Sequence, residues 1–170
     1  MHISVVIGNP NPGGRTTRVA ETLAQHLATV LNVREKAVIT TVELAHVAAR
    51  LFVWEDAELA RLNQNVAASD VVITACPTYK ASYTGLLKAF LDRYQNNGLA
   101  GTVAIPVMVG AAPQHALAVE THMRPLLVEL GASVPTRGLY VLESQMDQMD
   151  TMITTFLDTA GPLLARALRH

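Results

Sequence analysis

Three short stretches hold the residue types and spacings from which ligand chemistry can be built. The first, Gly8-Asn9-Pro10-Asn11-Pro12-Gly13-Gly14-Arg15-Thr16-Thr17, joins permissive glycines to a guanidinium and two hydroxyls at the start of a helix. The first N–H groups of a helix lack internal partners and lie at the positive end of its dipole. With Arg15, Thr16 and Thr17 beside them they suit the dianion of a phosphate monoester. The stretch is neither G-x-G-x-x-G nor G-x-x-x-x-G-K-[ST], which disfavours dinucleotide and nucleoside-triphosphate loops. A plain Pro/Gly turn with Thr16 or Thr17 capping the helix is the simpler alternative.

The second stretch is Pro77-Thr78-Tyr79-Lys80-Ala81-Ser82-Tyr83. Tyr79 and Tyr83 can pack on a planar heterocycle and backbone N–H groups can serve its carbonyls, although a solvated tyrosine pair explains the same residues. The third, Gly110-Ala111-Ala112, is small enough for the backbone to come close to a flat ligand. His115 and His122 read as helix-end or interface residues rather than acid-base groups, and the role of Thr121 between them stays open. Cys76 reads as a small buried hydrophobe, and Lys80 and Arg124 as either nucleotide-phosphate contacts or solvated charges. Met146, Met149 and Met152 are expected to pack a core or an interface.

Positioning these stretches requires a scaffold, and the apolar pattern supplies one. His2 to Ile7 is a β-branched run that predicts a buried strand, followed by a helix with Val19, Leu23, Leu27 and Leu31 on one stripe. Ala37 to Leu44 predicts a second strand. An irregular stretch through Phe52 and Trp54 then leads to a helix over Asp56 to Ala68. Val71 to Ala75 is apolar without alternation, as in a parallel strand covered on both faces, and a helix carrying Leu86, Leu87, Phe90, Leu91 and Tyr94 follows. Thr102 to Val109 is the fourth strand. The next helix, over Gln114 to Leu130, contains Pro125, whose missing N–H and clash with the Thr121 carbonyl predict a bend or a bulge. Val134 to Leu142 predicts a fifth strand, and Met146 onward a last helix broken at Gly161-Pro162. Strands alternating with helices imply a doubly wound α/β sheet in the order 2-1-3-4-5, with its ligands at the carboxyl ends of the strands.

Composition agrees with one such domain over residues 1–170. Half of the 170 residues are apolar and 16% are charged, enough for a core on both faces of a sheet. A net charge of −1 with scattered cations leaves no basic face for nucleic acid. No apolar run approaches a membrane span and no secretory leader is evident, so a cytoplasmic location is expected. The single cysteine cannot form an intrachain disulfide, and no Cys/His cluster has metal-ligand spacing, so no metal is expected.

Together, Pro77-Thr-Tyr-Lys-Ala-Ser-Tyr-Thr-Gly-Leu-Leu-Lys88, Gly110-Ala-Ala-Pro-Gln-His-Ala-Leu-Ala-Val119 and, more loosely, Asn9 to Thr17 resemble the NADPH-dependent FMN reductase family of flavodoxin-like proteins. The likeness is greatest to the reductases of alkanesulfonate and methanesulfonate monooxygenase systems. The resemblance implies that Asn9, Arg15, Thr16 and Thr17 hold the FMN phosphate. Pro77, Thr78, Tyr79, Lys80 and Ser82 then lie beside the isoalloxazine, and Gly110, Ala111 and Ala112 meet its pyrimidine side. It further implies hydride transfer from NADPH or NADH by positioning alone, release of reduced flavin to a monooxygenase, and a homodimer or homotetramer. Some sulfonate-linked members carry a tyrosine at a π-type bulge after the fourth strand, where this chain reads Glu120-Thr121-His122-Met123-Arg124-Pro125. A quinone or azo reductase with tightly held FMN and a flavodoxin-type electron carrier are the competing readings. The weak net charge and Arg15 count against the carrier.

Overall fold

The computed structural model describes residues 1–169. Five parallel strands form one sheet: β1 (His2–Ile7), β2 (Val38–Glu43), β3 (Val71–Pro77), β4 (Val103–Gly110) and β5 (Leu139–Leu142), in the order β2-β1-β3-β4-β5. This is the doubly wound, flavodoxin-like order expected from the sequence. Every residue of β3 and β4 is buried, which is why both read as unbroken apolar runs.

Helices α1 (Arg15–Val30) and α5 (Met149–Ala167) cover one face, where Val19, Leu23 and Leu27 meet Ile153, Leu157 and Leu164 over the sheet. Helices α2 (Ala57–Ala67), α3 (Gly85–Leu91) and α4 (Arg124–Glu129) cover the other, around Leu59, Phe90, Met123 and Leu127. None of the helices described is long and apolar enough to cross a membrane.

Several boundaries differ from the sequence expectation. Neither Thr16 nor Thr17 caps α1. Gly14 occupies the N-cap without a side-chain bond, and both threonines lie buried inside the first turn. Asp56 and Thr84 do cap their helices, accepting from Leu59 N and Leu87 N. Helix α3 stops at Leu91, before Tyr94. The predicted strand from Val134 shortens to Leu139–Leu142, with Ser133 making an isolated bridge to Val103.

The predicted break at Gly161-Pro162 is absent, because α5 runs through both residues. Pro162 and Asp158 are exposed, so the carbonyl that the proline leaves unpaired can reach water. Gly161 serves packing instead, since a Cβ there would stand 2.7 Å from Val30 Cγ1.

The bulge expected near Pro125 is present. After a 3₁₀ turn at Pro113–His115, residues Val119–Met123 form a π-helix, and Arg124 N bonds back to the Val119 carbonyl. An ion pair holds it in place. Glu120 Oε2 accepts from Arg124 Nε at 2.6 Å, Arg124 donates onward to the carbonyls of Val134 and Thr136, and Gly138 N donates to Glu120 Oε1. The widened turn is thereby clasped to the segment entering β5.

Candidate functional site

The loops after β1, β3 and β4 meet at the carboxyl ends of three adjacent strands. Gly8 N donates to the Ala75 carbonyl at 2.7 Å and Thr78 N to that of Val109 at 2.7 Å, so each loop starts from a fixed point on its neighbour. Thr84 adds a buried cross-link: its hydroxyl donates to the Gly8 carbonyl at 2.6 Å while accepting from Leu87 N. One side chain thus caps α3 and ties the β3 loop to the first loop.

Within the first loop, Asn9 is nearly buried and its Oδ1 accepts from Asn11 N at 3.0 Å, a local turn that bends the chain toward Gly13. Gly13 sits at φ +67, where a side chain would be strained. Because no side chain caps α1, its first-turn N–H groups are not satisfied by any side-chain cap. Thr16 and Thr17 lie beside them. The donor set expected for an anion is therefore assembled, although two of its members already have partners. Thr17 Oγ1 donates to Glu43 Oε1 at 2.7 Å, and Arg15 pairs with Glu143 at 3.0 Å.

The second loop is a tight hairpin. Tyr79 and Ser82 exchange backbone hydrogen bonds of 2.9 and 3.0 Å around Lys80 (φ 51) and Ala81 (φ 60). Two successive left-handed residues are the signature of a type I′ turn, which asparagine and glycine ordinarily fill. Their replacement by Lys and Ala stores local strain of the kind that gathers at ligand sites. Tyr79 and Lys80 are exposed at its tip, and Pro77 is buried as the last residue of β3.

The third loop is shaped by a residue that the sequence reading passed over. Tyr140 of β5 donates its hydroxyl to the Ala112 carbonyl at 2.8 Å. A Cβ on Gly110 would overlap that hydroxyl and come within 3.0 Å of Thr78 Oγ1. Gly110 is thus required by the close packing of Tyr140 and Thr78 beneath it. Burial raises the pKa of the Tyr140 phenol, so the group remains a donor at neutral pH.

Arg15, Thr16, Thr17, Thr78, Tyr79, Lys80, Ser82 and the 110–112 backbone all belong to these loops or the turns that follow them. His115 ends the 3₁₀ turn beyond the third loop, and Thr121 and His122 are exposed on the π-helix. Among the described residues no group of His, Cys, Asp and Glu is arranged to hold a metal. Cys76 is buried beneath the site and its thiol is pushed up to about 12 by burial, too high for a nucleophile. Glu43, Thr84, Tyr140 and Glu143 went unrecognised because each acts across the chain. The visible signal for Glu43 was a carboxylate ending the strand beside β1.

A cavity of about 740 Å³ lies elsewhere, between α1 and α5, lined by His26, Arg34, Ile39 and Asp158 among others, and it shares no residue with the three loops.

Comparison with known proteins adds an independent line. The family model described as NADPH-dependent FMN reductase matches residues 1–147. An FMN reductase (NADPH) of Escherichia coli (strain K12) is 29% identical over 100% of this chain and 91% of its own length. The NADH-dependent FMN reductase SfnF of Pseudomonas fluorescens (strain Pf0-1) is 34% identical over 65% of this chain and 55% of its own. Among solved structures, an NADH:FMN oxidoreductase in apo form is 28% identical with a TM-score of 0.76, covering 99% of this chain and 87% of that one. An oxidoreductase from Corynebacterium diphtheriae shares the fold, with a TM-score of 0.84 at 23% identity over 98% and 96% of the two chains.

Proposed function

We infer the activity from descent and site together: the chain belongs to the NADPH-dependent FMN reductase family, and it is an NAD(P)H-dependent FMN reductase. Which residues hold the flavin is our own proposal. The observation that carries it is the side-chain-uncapped first turn of α1, with Arg15, Thr16 and Thr17, beside two loops of flat, close-approach geometry. Those donors fit a phosphate monoester. The hairpin at Pro77–Ser82 and the backbone at Gly110–Ala112 fit the edge of a tricyclic ring.

A flavin held by these loops would supply the acceptor for a hydride from a nicotinamide. The chain contributes position and electrostatics. Asn9 and Gly13 bend the first loop so that the α1 N–H groups face the phosphate. Tyr140 fixes the Ala112 carbonyl, Tyr79 would cover the ring, and N–H groups of the 110–112 backbone would serve the pyrimidine side, where negative charge would develop. No side chain of the three loops has to take or give a proton.

In this proposal residues 1–170 act as one flavin-binding domain, copies assemble as a homodimer or homotetramer, and reduced flavin passes to a separate monooxygenase. The exposed Phe52, Val53 and Trp54 support assembly, since apolar clusters on a surface mark contact sites.

The test is a titration of purified, flavin-stripped protein with FMN, followed by NADH and NADPH oxidation with and without added FMN. Oxidation that rises with FMN over a weak-binding range supports flavin as a substrate. Activity from tightly bound FMN that ignores added flavin would move the protein to the quinone-reductase class. No binding would overturn both.

A further inference from the structure

Glu43 is the last residue of β2, which pairs with β1 at the edge of the sheet nearest the first loop. Its Oε1 accepts from Gly13 N at 2.9 Å and from Thr17 Oγ1 at 2.7 Å. Its Oε2 is buried and has no hydrogen-bond partner. A threonine hydroxyl has one proton, so Thr17 cannot donate to a phosphate while it donates to Glu43. Arg15 gives one of its five N–H donors to Glu143 and keeps the others for a second anion. Of the phosphate-binding set, the Asn9 amide, the Thr16 hydroxyl and the first-turn N–H groups are left without a carboxylate rival.

An unpartnered carboxylate oxygen in this position is costly for any second anion. The two like charges would share a partly desolvated space beside Arg15, whose side chain is half exposed. We propose that Glu43 is an affinity-setting residue of the flavin site: it competes with the flavin phosphate for Gly13 N and Thr17 Oγ1, and so keeps FMN exchangeable and narrows the preference for FMN over riboflavin. This rests on the phosphate placement of the preceding section. It goes further in naming the group that makes the flavin a substrate rather than a resident cofactor.

Glu43→Gln tests it, because glutamine keeps an acceptor for both donors and removes the charge. Dissociation constants for FMN and for riboflavin are measured by quenching of flavin fluorescence, and their ratio cancels any general loss of stability. Glu43→Gln is expected to tighten FMN about tenfold and leave riboflavin unchanged. Glu43→Ala, which lacks the acceptor as well, is expected to shift the ratio in the same direction. The FMN KM falls with both variants.

An unchanged or reduced FMN preference in both variants overturns the proposal and leaves Glu43 as loop scaffold. Arg15→Ala separates the two levels of inference. If it lowers FMN affinity without affecting riboflavin, the phosphate placement stands whatever Glu43 does. If it leaves the ratio unchanged, the phosphate lies elsewhere and both readings fall.

Discussion

On the first loop, the groups suited to the flavin phosphate are held by carboxylates from other parts of the chain: Thr17 and Gly13 by Glu43, Arg15 by Glu143. On the second and third loops, the shape suited to the ring is held by backbone pairs, one glycine and one phenol, with no ion pair. Charges compete and can be exchanged, whereas close packing admits no substitute. On the proposed placement of the flavin, the first region would tune how tightly it is held, and the second would decide whether a flat ring can enter at all.

That contrast can be broken most severely at Gly110. Gly110→Ala puts a methyl group into the Tyr140 hydroxyl, and overpacking of this kind costs about 1–3 kcal/mol. FMN and riboflavin should both lose affinity by tenfold or more, and calorimetry should show a lower Tm. Adding Tyr140→Ala should recover part of both losses. Equal loss for the two flavins sharpens the division between regions, and a loss confined to FMN would break it.

Glu120→Gln is the next largest. Glu120 joins Arg124 and Gly138 in the clasp around the π-helix. Burial raises its pKa, but the Arg124 guanidinium and the Gly138 N–H outweigh this, and the carboxyl is held below the usual carboxylate range. A carboxylate with a lowered folded pKa stabilises above its unfolded value, and that stability is lost as pH falls through the folded one. The variant should therefore melt below the wild type at pH 7, with the gap closing on acidification below about pH 4. A constant gap across that range would show that charge plays no part.

Tyr140→Phe removes the single bond to the Ala112 carbonyl, worth about 1 kcal/mol. A several-fold rise in the KM for both flavins, with an unchanged FMN-to-riboflavin ratio, is the expected result. A changed ratio would place Tyr140 on the phosphate side.

The smallest effect is expected at Cys76, which lies under the ring-side loops. Its thiol is raised to about 12 by burial, so the folded protein should not react with a disulfide reagent at pH 8, while denaturant should expose one thiol. The sign for stability is the reverse of Glu120. The neutral thiol contributes fully below its ordinary value of 9.0, and that contribution is lost as pH rises toward about 12. Rapid labelling of the native protein would mean that the floor of the site opens.

Most of the fold was legible in the sequence. Continuous β-branched runs can be buried strands only if both faces are covered, and their alternation with amphipathic helices leaves few sheet orders. The bulge at Val119–Met123 was legible too, because Pro125 cannot complete the i→i−4 ladder wherever the helix is placed. The loops of the site were visible as residue types. Their internal state was not.

Local pattern could not say that α5 passes straight through Gly161-Pro162, since that depends on Gly161 facing Val30 and Pro162 facing water. It could not supply Thr84 as the link between two loops, Tyr140 as the reason for Gly110, or Glu43 as the holder of Thr17. Each pairs residues distant along the chain, so each exists only once the sheet order has set β2, β3 and β5 beside their neighbours. The sequence by itself determined which backbone elements form and which residue types reach the strand ends, because burial and hydrogen bonding act over a few residues at a time. Only the tertiary structure decided which of those residues are already engaged, because a side chain's partner depends on where the rest of the chain comes back.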